Sequence, residues 1–277
     1  MNRVFVLLVA FFLVRAANAQ TVDTIKVKVH DHIMTLYSSG IGKPTVILET
    51  GGGSTHRVWR DVQARVANST RVVSYDRPGY LNSDSCSSPG DAIRVAKELS
   101  EALAKANITP PYILTGWSLG GAFVRVFAGL YSNDVAGMVL IDPTPENFYS
   151  RAEKEIPEFA AGKASYIQEV TTKGPNGERT EMRMFDSSMN QAGRSDASHV
   201  TPTTLLIAAG KTDGGDRDPS DPIGKIWIGE LEKWGKKRPN LNYQLITNSG
   251  HNIPRNQPDI VVNAIIQQVN QYNSKRK

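Results

Sequence analysis

The stretch Ile113-Leu114-Thr115-Gly116-Trp117-Ser118-Leu119-Gly120-Gly121 constrains the fold of this chain more than any other. It sets a Gly-x-Ser-x-Gly pattern between an apolar run of strand character and an apolar run of helical character, the context of a serine held on a sharp strand-to-helix turn. Such a turn leaves no space for side chains two residues before and two residues after the serine, so Gly116 and Gly120 have a steric reason to be glycine. The local expectation is a strand that ends at the motif, a helix that starts directly after it, and Ser118 projecting from the corner.

Similar short apolar runs recur at Thr45–Glu49, Arg71–Tyr75, Tyr112–Thr115, Gly137–Ile141 and Thr204–Ala208, and Leu241–Ile246 reads as a last strand. Most end in Gly, Asp or Pro and alternate with helical patterns over Trp59–Ala67, Pro89–Ala106, Leu119–Tyr131, Ile223–Trp234 and Pro258–Tyr272. Strands that are apolar without alternation and separated by helices predict an α/β fold with a doubly wound, mostly parallel sheet. Upstream, Ile25–Val29 and Ile33–Tyr37 alternate in polarity around His30-Asp31-His32 and predict an antiparallel hairpin. The interval 143–202 is polar and charged, lacks a clear strand and contains the turn-rich Lys173-Gly174-Pro175-Asn176-Gly177. It reads as a mostly helical cap inserted after a sheet strand. No internal repeat is found.

The N-terminus places Arg3 before an apolar run from Val4 to Val14 and a small-x-small site at Ala17-Asn18-Ala19. This pattern predicts a cleavable signal peptide over 1–19 and an exported, periplasmic or secreted protein comprising 20–277. The apolar run is shorter than the roughly 20 residues that span a bilayer, and no later stretch is apolar enough to do so. With Cys86 as the only cysteine, an internal disulfide is excluded and stability has to come from the core. Asn68-Ser69-Thr70 and Asn107-Ile108-Thr109 match the glycosylation acceptor pattern, which decides nothing alone. The formal net charge of +5 is dispersed along the chain. Lys233, Lys236, Lys237, Arg238 and Lys275-Arg276-Lys277 read as solvated surface, and no nucleic-acid motif accompanies them.

Nucleophilic catalysis by Ser118 requires a base, an acid that orients the base, and donors for an oxyanion. Asp213, after the run ending at Ala209, and His251, within Asn248-Ser249-Gly250-His251-Asn252, follow Ser118 in the order Ser, Asp, His. Asp142, directly after Gly137–Ile141, is the alternative acid, and Asp216, Asp218 and Asp221 share the loop of Asp213. Asp213 is preferred because it falls earliest after its strand at the expected glycine spacing. His30 and His32 lie in the hairpin turn, His199 in the cap, and His56 at a helix entry that also lies near the glycine-rich loop. Only His251 sits in a Gly-bounded loop between a last strand and a C-terminal helix. No His-Glu-x-x-His or cysteine pair signals a metal, and Gly51-Gly52-Gly53 lacks the Gly-Lys-Ser/Thr of a phosphate loop.

These motifs together resemble the α/β-hydrolase superfamily, over nearly all of the chain from about Thr24 to the final helix. Glu49-Thr50-Gly51-Gly52-Gly53-Ser54 is similar to the family's His-Gly-x-Gly loop, and Tyr75-Asp76-Arg77-Pro78-Gly79-Tyr80 to its Asp-x-x-Gly-x-Gly segment. Gly210-Lys211-Thr212-Asp213 resembles its acid turn and Ser249-Gly250-His251 its histidine loop. Two departures stand out: Thr50 replaces the usual histidine, and Leu81 replaces a glycine. The resemblance implies a triad of Ser118, Asp213 and His251, an oxyanion hole from the N–H groups of Gly52 and Leu119, and no cofactor. The implied activity is hydrolysis of a small-molecule carboxylic ester through an acyl-serine. Acyl transfer, amide or peptide cleavage, lyase chemistry, or a catalytically silent binding protein are the alternatives on the same scaffold. Phe148, Tyr149, Phe159, Tyr166, Met182, Met184 and Phe185 are candidates for an acyl pocket, with packing inside the cap the commoner role for such residues.

Overall fold

The computed structural model describes residues 21–86, 90–195, 197, 202–211, 217–238 and 241–276. The leader at 1–19 therefore lies outside the described residues. The strands are β1 (Asp23–Val29), β2 (His32–Ser39), β3 (Thr45–Glu49), β4 (Val72–Asp76), β5 (Tyr112–Trp117), β6 (Val135–Ile141), β7 (Thr203–Ala208) and β8 (Leu241–Ile246). They form one sheet in the order β1-β2-β4-β3-β5-β6-β7-β8. β1 and β2 pair antiparallel around the turn at His30, whose φ is 51°. β2 also runs antiparallel to β4, and the ladders from β4 through β3 to β8 are all parallel.

Helices α1 (Arg60–Val66), α2 (Ala92–Lys105), α3 (Leu119–Leu130), α8 (Pro222–Lys236) and α10 (Pro258–Ser274) connect or follow these strands. Burial on both faces explains the apolar runs. Ile47, Leu114, Leu140 and Leu205 face one cluster with the inner sides of α2, α3 and α8, while Val46, Ile113, Val139 and Leu206 face a second with α1 and α10. Successive strand residues point to opposite faces, so each central strand serves both cores.

Most boundaries shift by one or two residues, and two helix starts differ in kind from the sequence expectation. The helix expected from Pro89 begins at Ala92, because the Asp91 side chain accepts from the Arg94 N–H at 3.1 Å and caps it there. The helix expected over Trp59–Ala67 is a 3₁₀ turn, His56–Trp59, running into α1. A short helix, α9 (Ile253–Asn256), was not anticipated.

Between β6 and β7 the chain forms α4 (Phe148–Glu155), α5 (Pro157–Lys173), α6 (Asn176–Arg183) and α7 (Phe185–Arg194). Of the turn-rich stretch at Lys173–Gly177, only Gly174 and Pro175 lie between α5 and α6, and the other three residues are helical. Phe148, Ala152, Met189 and Ala192 join the same core cluster as α2 and α3, so these helices are anchored through apolar packing. Phe148 meets Tyr149, Phe159 and Trp227 in edge-to-face geometry at centroid distances of 5.0, 5.6 and 4.8 Å.

Candidate active site

Ser118 closes β5 and opens α3 with φ 56° and ψ −125°, a strained conformation for a residue with a Cβ. Its neighbours make the turn possible. A Cβ on Gly116 would lie 2.6 Å from the Gly120 carbonyl oxygen, and one on Gly120 would lie 2.4 Å from that of Thr50. Backbone bonds hold the corner: Ser118 N–H donates to Ile141 O at 3.1 Å, and Ser118 O accepts from Gly121 and Thr144 N–H at 2.9 and 3.1 Å. The serine side chain is thereby lifted above the C-terminal ends of β5 and β6.

His251, between β8 and α9, brings Nε2 to 2.8 Å from Ser118 Oγ and Nδ1 to 2.6 Å from Asp142 Oδ2. A carboxylate only accepts, so the Nδ1 proton faces Asp142 and Nε2 is left to accept from the serine hydroxyl. Trp117 Nε1–H donates to the His251 carbonyl at 2.8 Å, and the imidazole meets the Trp117 ring at a tilt and the Trp227 ring edge-to-face, each at a centroid distance of 5.4 Å. Burial pushes the His251 pKa below its ordinary value near 6.5. The Asp142 hydrogen bond and charge work against this shift, and the Arg217 charge adds to it.

Asp142 follows β6 directly, is fully buried and has φ 39°. That backbone turn aims the carboxylate under the imidazole. Its Oδ1 accepts from Ala208 N–H at 3.1 Å and Trp227 Nε1–H at 3.0 Å, and its Oδ2 accepts from Arg217 Nε–H at 3.2 Å as well as from His251. The structure thus gives Asp142 the contact that the sequence assigned to Asp213, which lies outside the described residues. The imidazole has a single Nδ1, and Asp142 occupies it.

The glycine loop after β3 passes over the elbow. A Cβ on Gly51 would lie 3.1 Å from Ser118 Cβ, and one on Gly52 would lie 3.3 Å from Leu119 Cδ2. Gly52, Ser118 and Leu119 line one cavity of about 150 Å³. Leu119 is the first residue of α3, so its N–H has no acceptor within the helix. The two expected oxyanion donors therefore flank the serine.

A larger cavity of about 660 Å³ also reaches Ser118, together with His251, and has Phe148, Tyr149, Phe159, Tyr166, Ile223 and Trp227 among its walls. Met182 and Phe185 border the smaller cavity, and Met184 borders neither. His56 is bound elsewhere: its Nδ1 is 2.9 Å from Asp76 Oδ1 and its ring stacks on Tyr37 at 3.7 Å. His30 and His32 lie near Glu101 and Glu98 at 3.5 and 3.7 Å, and His199 is outside the described residues. No group of metal-binding side chains occurs among the described residues, and no described helix is long and apolar enough to cross a membrane.

Sequence reasoning missed the polar network under the glycine loop. Arg77, buried after β4, donates to Glu49, to Thr50 O and Oγ1 at 2.9 and 2.8 Å, to Gly51 O at 2.7 Å, and to Glu181 Oε1 in α6 at 2.6 Å. Glu181 Oε2 accepts from Gly53 N–H at 3.0 Å and Tyr80 O–H at 2.8 Å. Burial raises the Glu49 pKa despite the guanidinium beside it. Arg77 belongs to the Asp-x-x-Gly resemblance, so part of this network had a sequence signal. Glu181, inside a charged cap helix, had none.

Comparison with known proteins supplies the wider context. A family model described as alpha/beta hydrolase fold matches residues 44–274. The uncharacterized protein YqjL of Bacillus subtilis is 25% identical over 231 residues, 83% of this chain and 85% of that protein. A pimeloyl-[acyl-carrier protein] methyl ester esterase of Hamiltonella defensa is 30% identical over 109 residues, 39% of this chain and 40% of its own length. A solved thermophilic esterase from Thermogutta terrifontis superposes with a TM-score of 0.63 at 19% identity, covering 90% of this chain and 98% of that one. The share of each curated relative that the chain spans varies widely, from 16% in an uncharacterized vacuolar membrane protein of Saccharomyces cerevisiae to 85% in YqjL.

Proposed function

Because this chain belongs to the α/β-hydrolase fold family, we propose that it is a serine hydrolase that cleaves a small or medium-sized carboxylic ester through an acyl-serine. The observation that carries the reading is the continuous relay from Ser118 Oγ through His251 to Asp142, at 2.8 and 2.6 Å, on a strained elbow. His251 Nε2 takes the Ser118 proton as Oγ attacks the ester carbonyl, and Asp142 holds the tautomer and stabilises the imidazolium that forms. The carbonyl oxygen, now negative, receives the Gly52 and Leu119 N–H groups, each such donor contributing about 3 kcal/mol to the transition state. The imidazolium next protonates the departing alcohol. A water deprotonated by His251 attacks the acyl-enzyme, and collapse of the second tetrahedral intermediate releases the acid and restores Ser118.

The lowered pKa of His251 suits this role, since burial favours the neutral imidazole that can accept a proton. A serine at the elbow argues against the branches of this fold that attack through a carboxylate. Support for ester rather than amide substrates comes from the esterases among the similar proteins. The aromatic cavity of about 660 Å³ has room for an acyl or alcohol group of moderate size. The basic, apolar and small-residue pattern of 1–19 supports export, which an N-terminus at Gln20 in the mature protein would test. The enzymatic reading is tested by Ser118→Ala. Turnover of p-nitrophenyl esters should disappear while thermal stability stays near that of the native chain, and persistent hydrolysis would require another nucleophile.

A further inference from the structure

Three consecutive glycines, Gly51 to Gly53, cannot hold a loop in one conformation by themselves, since each has wide backbone freedom. Gly53 sits at φ 67°. An oxyanion donor carried by such a loop has to be oriented from outside it. The Gly51 carbonyl and the Gly52 N–H belong to one planar trans peptide unit and point in opposite directions. Arg77 Nη2–H donates to that Gly51 carbonyl at 2.7 Å, which aims the Gly52 N–H away from the guanidinium. Arg77 Nη1–H holds the preceding peptide through Thr50 O at 2.9 Å, and Glu181 holds the following one through Gly53 N–H at 3.0 Å.

The orienting groups are themselves fixed. Arg77 and Glu181 are 4% and 9% exposed and joined at 2.6 Å, and Arg77 lies against the Phe123 ring at 5.4 Å. Glu181 comes from cap helix α6, and Gly177 of the same helix packs on Tyr80: a Cβ there would meet the ring at 2.4 Å. The guanidinium also polarises the Gly51–Gly52 peptide, strengthening its N–H as a donor. We propose that Arg77 and Glu181 are positioning residues for the Gly52 oxyanion donor, so that docking of α6 completes the oxyanion hole. The cap then contributes to the chemical step besides walling the substrate cavity. This inference rests on the serine-hydrolase reading.

The test compares Arg77→Lys and Glu181→Gln with the native chain in two readouts: the second-order rate of Ser118 modification by an alkyl fluorophosphonate, and kcat and KM for a p-nitrophenyl ester. Lysine keeps the charge but loses the planar fork that reaches Thr50 and Gly51 together. About 10- to 100-fold slower phosphonylation and a similar loss in kcat are expected for Arg77→Lys, a fraction of the 10²–10³ for a whole donor. Glu181→Gln should lose about 3- to 10-fold, on the same scale. KM should stay within about twofold, and the pH midpoint of kcat/KM should not move, because the His251–Asp142 contact is untouched. A merely structural role would instead lower the melting temperature and raise KM with kcat retained. Folded variants whose Ser118 reacts within twofold of the native rate overturn the proposal. If Arg77→Lys does not fold, the same criterion applied to Glu181→Gln decides it. A native chain whose Ser118 fails to react overturns the serine-hydrolase reading, and this inference with it.

Discussion

Replacement of Asp142 by Asn should abolish nearly all turnover while leaving a folded protein. The carboxylate is fully buried and accepts from four N–H donors, two on each oxygen: Ala208 N and Trp227 Nε1 on one, Arg217 Nε and His251 Nδ1 on the other. An asparagine offers one accepting oxygen and one NH₂. If the NH₂ faces Ala208 and Trp227, two buried donors lose their acceptor, at a cost of about 1–3 kcal/mol each. If it faces His251, it favours the tautomer protonated at Nε2, which cannot accept the Ser118 proton. The same substitution in a Ser-His-Asp triad of another fold lowers kcat by about 10⁴, which corresponds to about 5.5 kcal/mol of barrier. Asp142→Asn should therefore lose about 10³- to 10⁴-fold in kcat, and Asp213→Asn should stay within about threefold of the native enzyme, because Asp142 already occupies the His251 Nδ1. The assay is steady-state hydrolysis of a p-nitrophenyl ester with a thermal melt on each variant. A larger loss from Asp213→Asn than from Asp142→Asn would refute the assignment.

Other consequences follow from the same geometry. Because burial depresses the His251 pKa, the acid limb of kcat/KM should have its midpoint below 6.5; a midpoint above that value would contradict the burial argument. For stability the sign is the same: a buried neutral histidine contributes fully above its unfolded pKa, and that contribution is lost as pH falls toward the lower folded value. Gly120→Ala should fail to give active folded protein, since its Cβ would press to 2.4 Å on the Thr50 carbonyl; a native-like melt with full activity would exclude the elbow geometry. Phe148→Ala, which removes a buried ring packed on Tyr149, Phe159 and Trp227, should cost about 3–5 kcal/mol in denaturant unfolding. A cost below about 1 kcal/mol would mean that the cap is not anchored through this residue.

The sheet was legible because its strands are buried on both faces, which forces uninterrupted apolar runs such as Val46-Ile47-Leu48 and Val139-Leu140-Ile141. The elbow was legible for a different reason: Gly116 and Gly120 are steric necessities, and steric necessities leave a mark in sequence. The carboxylate that meets His251 was not. Asp142 and Asp213 each follow an apolar run near small or turn-forming residues, and the choice depends on the backbone turn at Asp142 and on which carboxylate reaches a histidine more than a hundred positions away. Glu181 was invisible for the same cause, since its partners Arg77 and Gly53 are distant in sequence and a glutamate in a charged helix resembles its solvated neighbours. His56 shows the converse case, a histidine beside the glycine loop that the sequence set at a helix entry and that Asp76 and Tyr37 hold there.

The central claim is that Ser118 is a nucleophile activated by His251. Treatment of the folded mature chain with an alkyl fluorophosphonate, followed by digestion and mass mapping, tests it directly. A single phosphonyl adduct on Ser118, absent from a His251→Ala variant, is the predicted result. An unmodified Ser118 in native protein, under conditions where a known serine esterase is fully labelled, would contradict it.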